Sequence, residues 1–166
     1  MTHLPDLRRR GLLMSLAAMA LPGRAGAEGP VILTLVGPSG QVHALDEDAF
    51  AALPQHELTT HTVWTDGAQT FAGARLSDVL ALAGTEEALR DRDLLLKALN
   101  DYTIRIPAAD AWDYGALLAR RQNGTALLRR DKGPLWLVYP RDSFDTLHDQ
   151  RYDSRWVWQL SEIVIR

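Results

Sequence analysis

Leu117-Leu118-Ala119-Arg120-Arg121-Gln122-Asn123-Gly124-Thr125-Ala126-Leu127-Leu128-Arg129 is the stretch that decides the fold. Asn-Gly accepts the positive φ that a tight two-residue turn needs, so Leu117 to Arg121 and Thr125 to Arg129 read as the two arms of a β-hairpin. Working outward, Leu135 to Tyr139 is a short apolar run of a buried strand, and Leu94-Leu95-Leu96 and Tyr102 to Ile106 are strands around the Asn100-Asp101 turn. Val31 to Val36 is β-rich, and the Gly37-Pro38-Ser39-Gly40 cluster turns it back into Gln41 to Leu45. His56 to Val63 alternates loosely and is Thr-rich, another strand. Arg155 to Ile165 reads as a long last strand, with Trp156, Trp158 and Leu160 on one face and Val157, Gln159 and Ser161 on the other.

Helices are few and short. Asp46 is placed to cap one through Leu53, with Glu47 and Asp48 at its positive end and Pro54 as its stop. Leu76 to Ala83 is a second, with Ser77 near its start and Gly84 at its end. Ala108 to Tyr114 is a helical turn. Many short strands with a few short helices make an α+β fold around a mixed, mostly antiparallel β core. Pro140 to Ser154 breaks the pattern: it has no periodicity and is dense in charge, and a loop of that length in a compact domain is usually functional or mobile.

The chain has 166 residues, 46% of them hydrophobic, a formal net charge of −3 and no cysteine. That suits one domain. Without cysteine the chain forms no disulfide, zinc-thiolate site, iron-sulfur cluster or thiol nucleophile. Mild acidity argues against a nucleic-acid binder, which carries a basic face. No internal repeat or low-complexity segment is present.

Residues 1–27 read as an export signal. Arg8-Arg9-Arg10 is the basic start, Gly11 to Leu21 a short apolar stretch, and Ala25-Gly26-Ala27 a small-residue cleavage site. The apolar stretch is too short to span a bilayer. Arg9-Arg10-Gly11-Leu12-Leu13, with Arg24 before the cleavage site, points to the twin-arginine route; an ordinary secretory signal is the other reading. The expectation is a periplasmic domain over residues 28–166 with no transmembrane segment. Loss of the four leader arginines leaves that domain more acidic still, which disfavours anionic lipid and nucleic acid as partners.

Several constellations are candidates for chemistry. Trp64, Trp136, Trp156 and Trp158 either line one pocket for a flat ligand or pack in the core. Arg141, Asp142, Asp145, His148, Asp149, Arg151, Asp153 and Arg155 crowd the long loop. They either hold a hard cation or an anionic ligand, or form weak surface ion pairs, and their spacing matches no calcium loop. His56 and His61, five apart on a strand, point to opposite faces and make poor co-ligands. With His43 and His148 they read as ordinary histidines. Ser143 near His148 lacks a nucleophile elbow, and Gly37-Pro38-Ser39-Gly40 lacks the ending of a phosphate loop.

From Thr62 onward the order of motifs resembles the oxidoreductase molybdopterin-binding domain family, the sulfite oxidase-type fold. The pieces are Trp64-Thr65-Asp66-Gly67, Phe71-Ala72-Gly73-Ala74-Arg75-Leu76-Ser77-Asp78-Val79-Leu80, Asn100-Asp101-Tyr102 with Ile106-Pro107, Leu117-Leu118-Ala119, Asn123-Gly124 with Leu127, Gly133-Pro134-Leu135-Trp136-Leu137-Val138-Tyr139-Pro140, and Trp158-Gln159-Leu160-Ser161-Glu162-Ile163. The similarity is to short, secreted, single-domain members. In the family's full enzymes the resemblance implies a molybdenum ion held by a pterin dithiolene and one cysteine thiolate, with the protein positioning the cofactor.

This sequence departs from that pattern where the cofactor would be held. Trp64 lies near the place of the family's cysteine, Trp136 takes the place of an arginine, and Trp158 that of a lysine. A soft metal loses a strong ligand without the thiolate, and indole does not replace a cation opposite phosphate. Tyr102 matches a family active-site position, either as a hydrogen-bond donor to an oxyanion or as a structural turn residue.

Two functions follow. The favoured one is an exported binding, sensing or accessory module, with no cofactor expected. It takes a small ligand, or a periplasmic or membrane partner protein, between the Trp cluster, the Asn100-Asp101-Tyr102 turn and the Pro140–Ser154 loop, through Trp64, Asn100, Asp101, Tyr102, Trp136, Tyr139, Arg141, Arg155 and Trp158. The alternative is a molybdopterin-dependent oxidoreductase, or a subunit of one, that works without a thiolate.

Overall fold

The computed structural model describes residues 29–166; the export-signal reading falls on residues outside them. Ten strands form two sheets. In the first, β1 (Leu33–Val36) pairs antiparallel with β2 (Val42–Leu45), and Gly40 turns between them at φ 84°. Asp46 then caps α1 (Glu47–Ala51), its carboxylate accepting the Ala49 amide at 2.8 Å and the Gly29 amide at 2.9 Å. The second sheet begins with β3 (Gln55–Thr60) and β4 (Gln69–Arg75), followed by α2 (Leu76–Leu80) and α3 (Glu86–Leu89).

The chain returns to the first sheet with β5 (Asp93–Ala98) and β6 (Thr103–Pro107), then forms α4 (Asp110–Asp113). The second sheet is completed by β7 (Leu117–Gln122), β8 (Thr125–Ala126) and β9 (Trp136–Val138). β10 (Leu160–Ile165) closes the first sheet. The strand orders are β2-β1-β10-β5-β6 and β3-β4-β7-β8, with β9 on the other edge of β7. Among the described residues only β1 with β10 is parallel, so the mixed, mostly antiparallel α+β expectation holds.

The deciding hairpin forms around Asn123 at φ 49° and Gly124 at φ 77°, the paired positive angles of a tight turn. Its second arm is shorter than the sequence suggests, because the chain leaves the sheet after Ala126. Leu33, Leu35, Phe71, Leu76, Leu80, Leu94, Leu96, Leu117, Trp136, Leu160 and Ile163 pack into one core fed by both sheets. At Gly73 the strands β4 and β7 approach so closely that a Cβ would lie 2.0 Å from the Leu118 carbonyl oxygen.

Three expectations are corrected. The last strand begins at Leu160, not Arg155. Gln159 sits at φ 55°, its amide donates to the Lys132 carbonyl and its carbonyl accepts from Leu99, so Trp156 to Gln159 is an irregular crossing between the sheets. The His56–Val63 strand stops at Thr60. Pro140 to Ser154 is not without structure: it is a chain of three 3-10 turns, Arg141–Ser143, Asp145–His148 and Gln150–Arg155, anchored by buried Leu147.

Candidate functional site

The four tryptophans converge. Trp64 lies 5.6 Å from both Trp156 and Trp158 and 6.3 Å from Trp136, ring centre to ring centre. Trp136 lies 6.1 Å from Trp156 and 6.0 Å from Trp158, with Phe71 edge-on beneath it at 5.1 Å. Each indole comes from a separate device. Trp64 rides a turn in which the Thr62 hydroxyl accepts its amide at 3.0 Å and meets the Thr65 hydroxyl at 2.8 Å. Trp136 opens β9 and is wholly buried. Trp156 and Trp158 flank the sheet crossing, which the Gln159 side chain pins by donating to the Arg129 and Asp131 carbonyls at 2.8 and 3.0 Å.

Beside this cluster is a cavity of about 270 Å³ lined by Trp64, Asn100, Tyr102, Asp153, Ser154, Trp156 and Trp158. The β5–β6 turn supplies one wall: Asp101 takes φ 66° and the Asn100 carboxamide oxygen accepts the Tyr102 amide at 3.1 Å. Tyr102 then reaches across and donates its hydroxyl to the Ser154 carbonyl at 2.8 Å, fastening the last 3-10 turn over the cavity. Partial burial raises the phenol's pKa above its ordinary value, so Tyr102 stays a neutral donor.

Of the nominated residues, Trp64, Asn100, Tyr102 and Trp158 meet at the cavity, and Trp136 backs them from the core. Asp101 shapes the turn without lining the cavity. Tyr139 is fully buried and is not part of the lining. Its hydroxyl donates to the Asp110 carboxylate at 2.8 Å, and burial, reinforced by that carboxylate, pushes its pKa well above 10. Arg155 donates to the same Asp110 oxygen at 2.6 Å and lies over the Tyr152 ring at 4.3 Å. Arg141 donates to Asp153 at 2.7 Å and to the His148 carbonyl at 3.2 Å. Both arginines are therefore neutralised from within rather than offered to an anion.

The sequence reading placed the Pro140–Ser154 loop, with Asp153 among its charges, against the site but did not single out Asp153 or Ser154; the short spacing from Asp153 to Trp156 and Trp158 was the available signal. It also gave no hint that Lys132 places its ammonium 5.0 Å from the Trp158 ring and 5.5 Å from the Trp136 ring. His56 and His61 take separate partners, Asp78 at 3.1 Å and Asp142 at 2.9 Å, in keeping with their reading as poor co-ligands. The hydrogen bond from His61 lowers the Asp142 pKa, and that from Arg151 holds Asp149 at about 2. The charged turns are thus laced by local pairs.

The donor set does not fit a thiolate-held molybdenum pterin. There is no cysteine to bind a soft metal. Among the described residues no three His, Asp or Glu side chains gather as a metal group. Arg141 and Arg155, the two arginines among the nominated residues, are already paired with Asp153 and Asp110. What the site offers is a small aromatic hollow.

No curated protein matches the chain. Among solved structures, the sulfane dehydrogenase SoxCD from Paracoccus pantotrophus superposes with a TM-score of 0.61 at 19% identity, over 80% of this chain and 37% of that one. At that identity the likeness is one of fold, and the chain spans well under half of that protein's length. Residues 46–144 match the model of the oxidoreductase molybdopterin binding domain, and the chain belongs to that family.

Proposed function

We propose that this protein is an exported, periplasmic binding module of the molybdopterin-binding fold. It captures a small ligand, or through it a periplasmic or membrane partner protein, in the cavity between the indoles and the Tyr102–Ser154 clasp. The observation that carries the reading is the lining itself: three indoles and one phenol beside Asn100, Asp153 and Ser154, with no thiolate and no lysine, arginine or histidine. Such a surface holds a ligand by desolvation and ring contact. Trp136 and Phe71 behind it fix the wall. Tyr102 orders the opposite side and keeps its proton there.

Family membership favours a second reading, an oxidoreductase or oxidoreductase subunit that binds a pterin cofactor without a thiolate. One preparation tests both. The full chain, produced in its native host and recovered from the periplasm, is assayed for molybdenum by mass spectrometry and for a fluorescent pterin on denaturation. The proposal expects neither, together with ligand-dependent quenching of indole fluorescence that Trp64→Ala abolishes. Stoichiometric molybdenum with released pterin establishes the second reading; a chain retained in the cytoplasm refutes export.

A further inference from the structure

Building on the cavity reading, we propose that the ligand is a methylated ammonium, a quaternary or trimethylated nitrogen cation seated against Trp64, Trp156, Trp158 and Tyr102. Four aromatic rings line one small hollow, and a ring attracts a cation through its quadrupole, indole most strongly. The only ionisable side chain other than Tyr102 in the lining is a carboxylate, Asp153. An anion would meet no positive charge there. The indole N–H groups of Trp156 and Trp158, like that of Trp136, are sealed from solvent without a partner, so they do not recruit an acceptor either.

The same inventory favours a methylated nitrogen over an ordinary ammonium. A primary ammonium brings three N–H donors that need acceptors once water is stripped away. The acceptors of the lining are partly engaged already: the Ser154 carbonyl accepts from Tyr102, the Asn100 oxygen from the Tyr102 amide, and one Asp153 oxygen from Arg141. A trimethylated nitrogen has no N–H to satisfy, spreads its charge over methyl groups and suits apolar walls. The cavity, about 270 Å³, lies below the ~300–1,000 Å³ of drug-sized sites, which suits a compact head group. The cluster already receives one cation: Lys132 lies over the Trp136 and Trp158 rings from outside the lining.

The test is calorimetric titration of the full chain with choline, with its neutral isostere 3,3-dimethylbutan-1-ol, and with ethanolamine. Indole fluorescence is followed in parallel with these and with flat aromatic compounds. Choline is expected to bind about tenfold or more tighter than either comparator, the sum of several desolvated cation–π contacts. Trp64→Phe should weaken choline modestly and Trp64→Leu by about tenfold, in each case more than it weakens the alcohol. Unchanged melting in the absence of ligand shows that the variants are folded; if Trp64→Leu melts early, Tyr102→Leu replaces it. Sedimentation with phosphatidylcholine vesicles, competed by choline, would identify the source of the group as a lipid surface rather than a free metabolite. Equal binding of choline and the alcohol, or of choline and ethanolamine, overturns the inference. If flat or neutral compounds quench the indoles while choline does not, the inference fails and the cavity reading stands. If nothing quenches them, both fail.

Discussion

Replacing Arg155 with methionine should reveal how the wall behind the site is held. Asp110 is a buried carboxylate whose Oδ2 accepts from Arg155 at 2.6 Å and from the Tyr139 hydroxyl at 2.8 Å. Removing one partner of a buried pair costs about 3–5 kcal/mol, because the remaining charge is left unneutralised. Here Tyr139 still donates, and the Arg155 side chain is 23% exposed, so water can enter behind it. We therefore expect a loss of about 2–4 kcal/mol, near the lower part of that range. For a domain of this size that lowers Tm by about 10 °C. Urea denaturation gives the free energy and calorimetry the Tm. The decisive comparison is a double-mutant cycle with Asp110→Asn, which removes the charge as well as its counter-ion. The double variant should be less destabilised than the sum of the single ones by at least about 1 kcal/mol. Additive losses, or an Arg155→Met loss within about 0.5 kcal/mol of zero, as at ordinary surface sites, would refute the claim that this pair is a buried electrostatic unit.

Three more outcomes are expected. Tyr139 is raised well above 10 by burial and then by Asp110, so its stabilising contribution is complete below pH ~10, where the unfolded phenol titrates, and is lost as pH climbs toward its folded value. Chemical denaturation between pH 9 and 11 should show stability falling, with a shallower fall in Tyr139→Phe. Asp46→Ala removes the α1 cap and the tie to Gly29 together, and should cost about 1–2 kcal/mol by urea denaturation. Gly73→Ala places a methyl group 2.0 Å from a backbone oxygen that has no rotamer to escape through; strand separation should cost more than about 3 kcal/mol and leave little soluble protein.

Fold class was legible where one local signal was enough. Asn123-Gly124 demands a tight turn and takes one. Asp46 followed by Glu47 and Asp48 demands a helix start and makes one. Reading failed where long-range pairing overrode local pattern. Arg155 to Gln159 alternates like a strand, yet its backbone bonds are spent on Lys132, Leu99 and Leu137, which hold it between sheets. No local signal announced α3, or the parallel pairing of β1 with β10, since the partner strands lie at opposite ends of the described chain. Asp153 was hidden in a run of charges that looks like any solvated loop, and only the fold sets it beside indoles.

The departures from the family pattern at positions 64, 136 and 158 are far apart in sequence, and taken singly each is one more tryptophan. In space they are neighbours, every pair between 5.6 and 6.3 Å. Positions that the resemblance assigns to a thiolate and two cations thus form one connected surface, and all three carry the same side chain. Core packing does not demand this: leucine or phenylalanine would fill such volume without burying the indole N–H groups of Trp136 and Trp158, which have no partner, each a penalty of about 1–3 kcal/mol. A cluster that tolerates that penalty beside a cavity presents ring faces, which aliphatic residues cannot supply. The exchange is therefore coherent in chemical terms. On the proposed reading, π surface stands where the resemblance expects soft-metal ligation and charge anchoring, and the ligand is one that binds aromatic rings rather than an anionic cofactor.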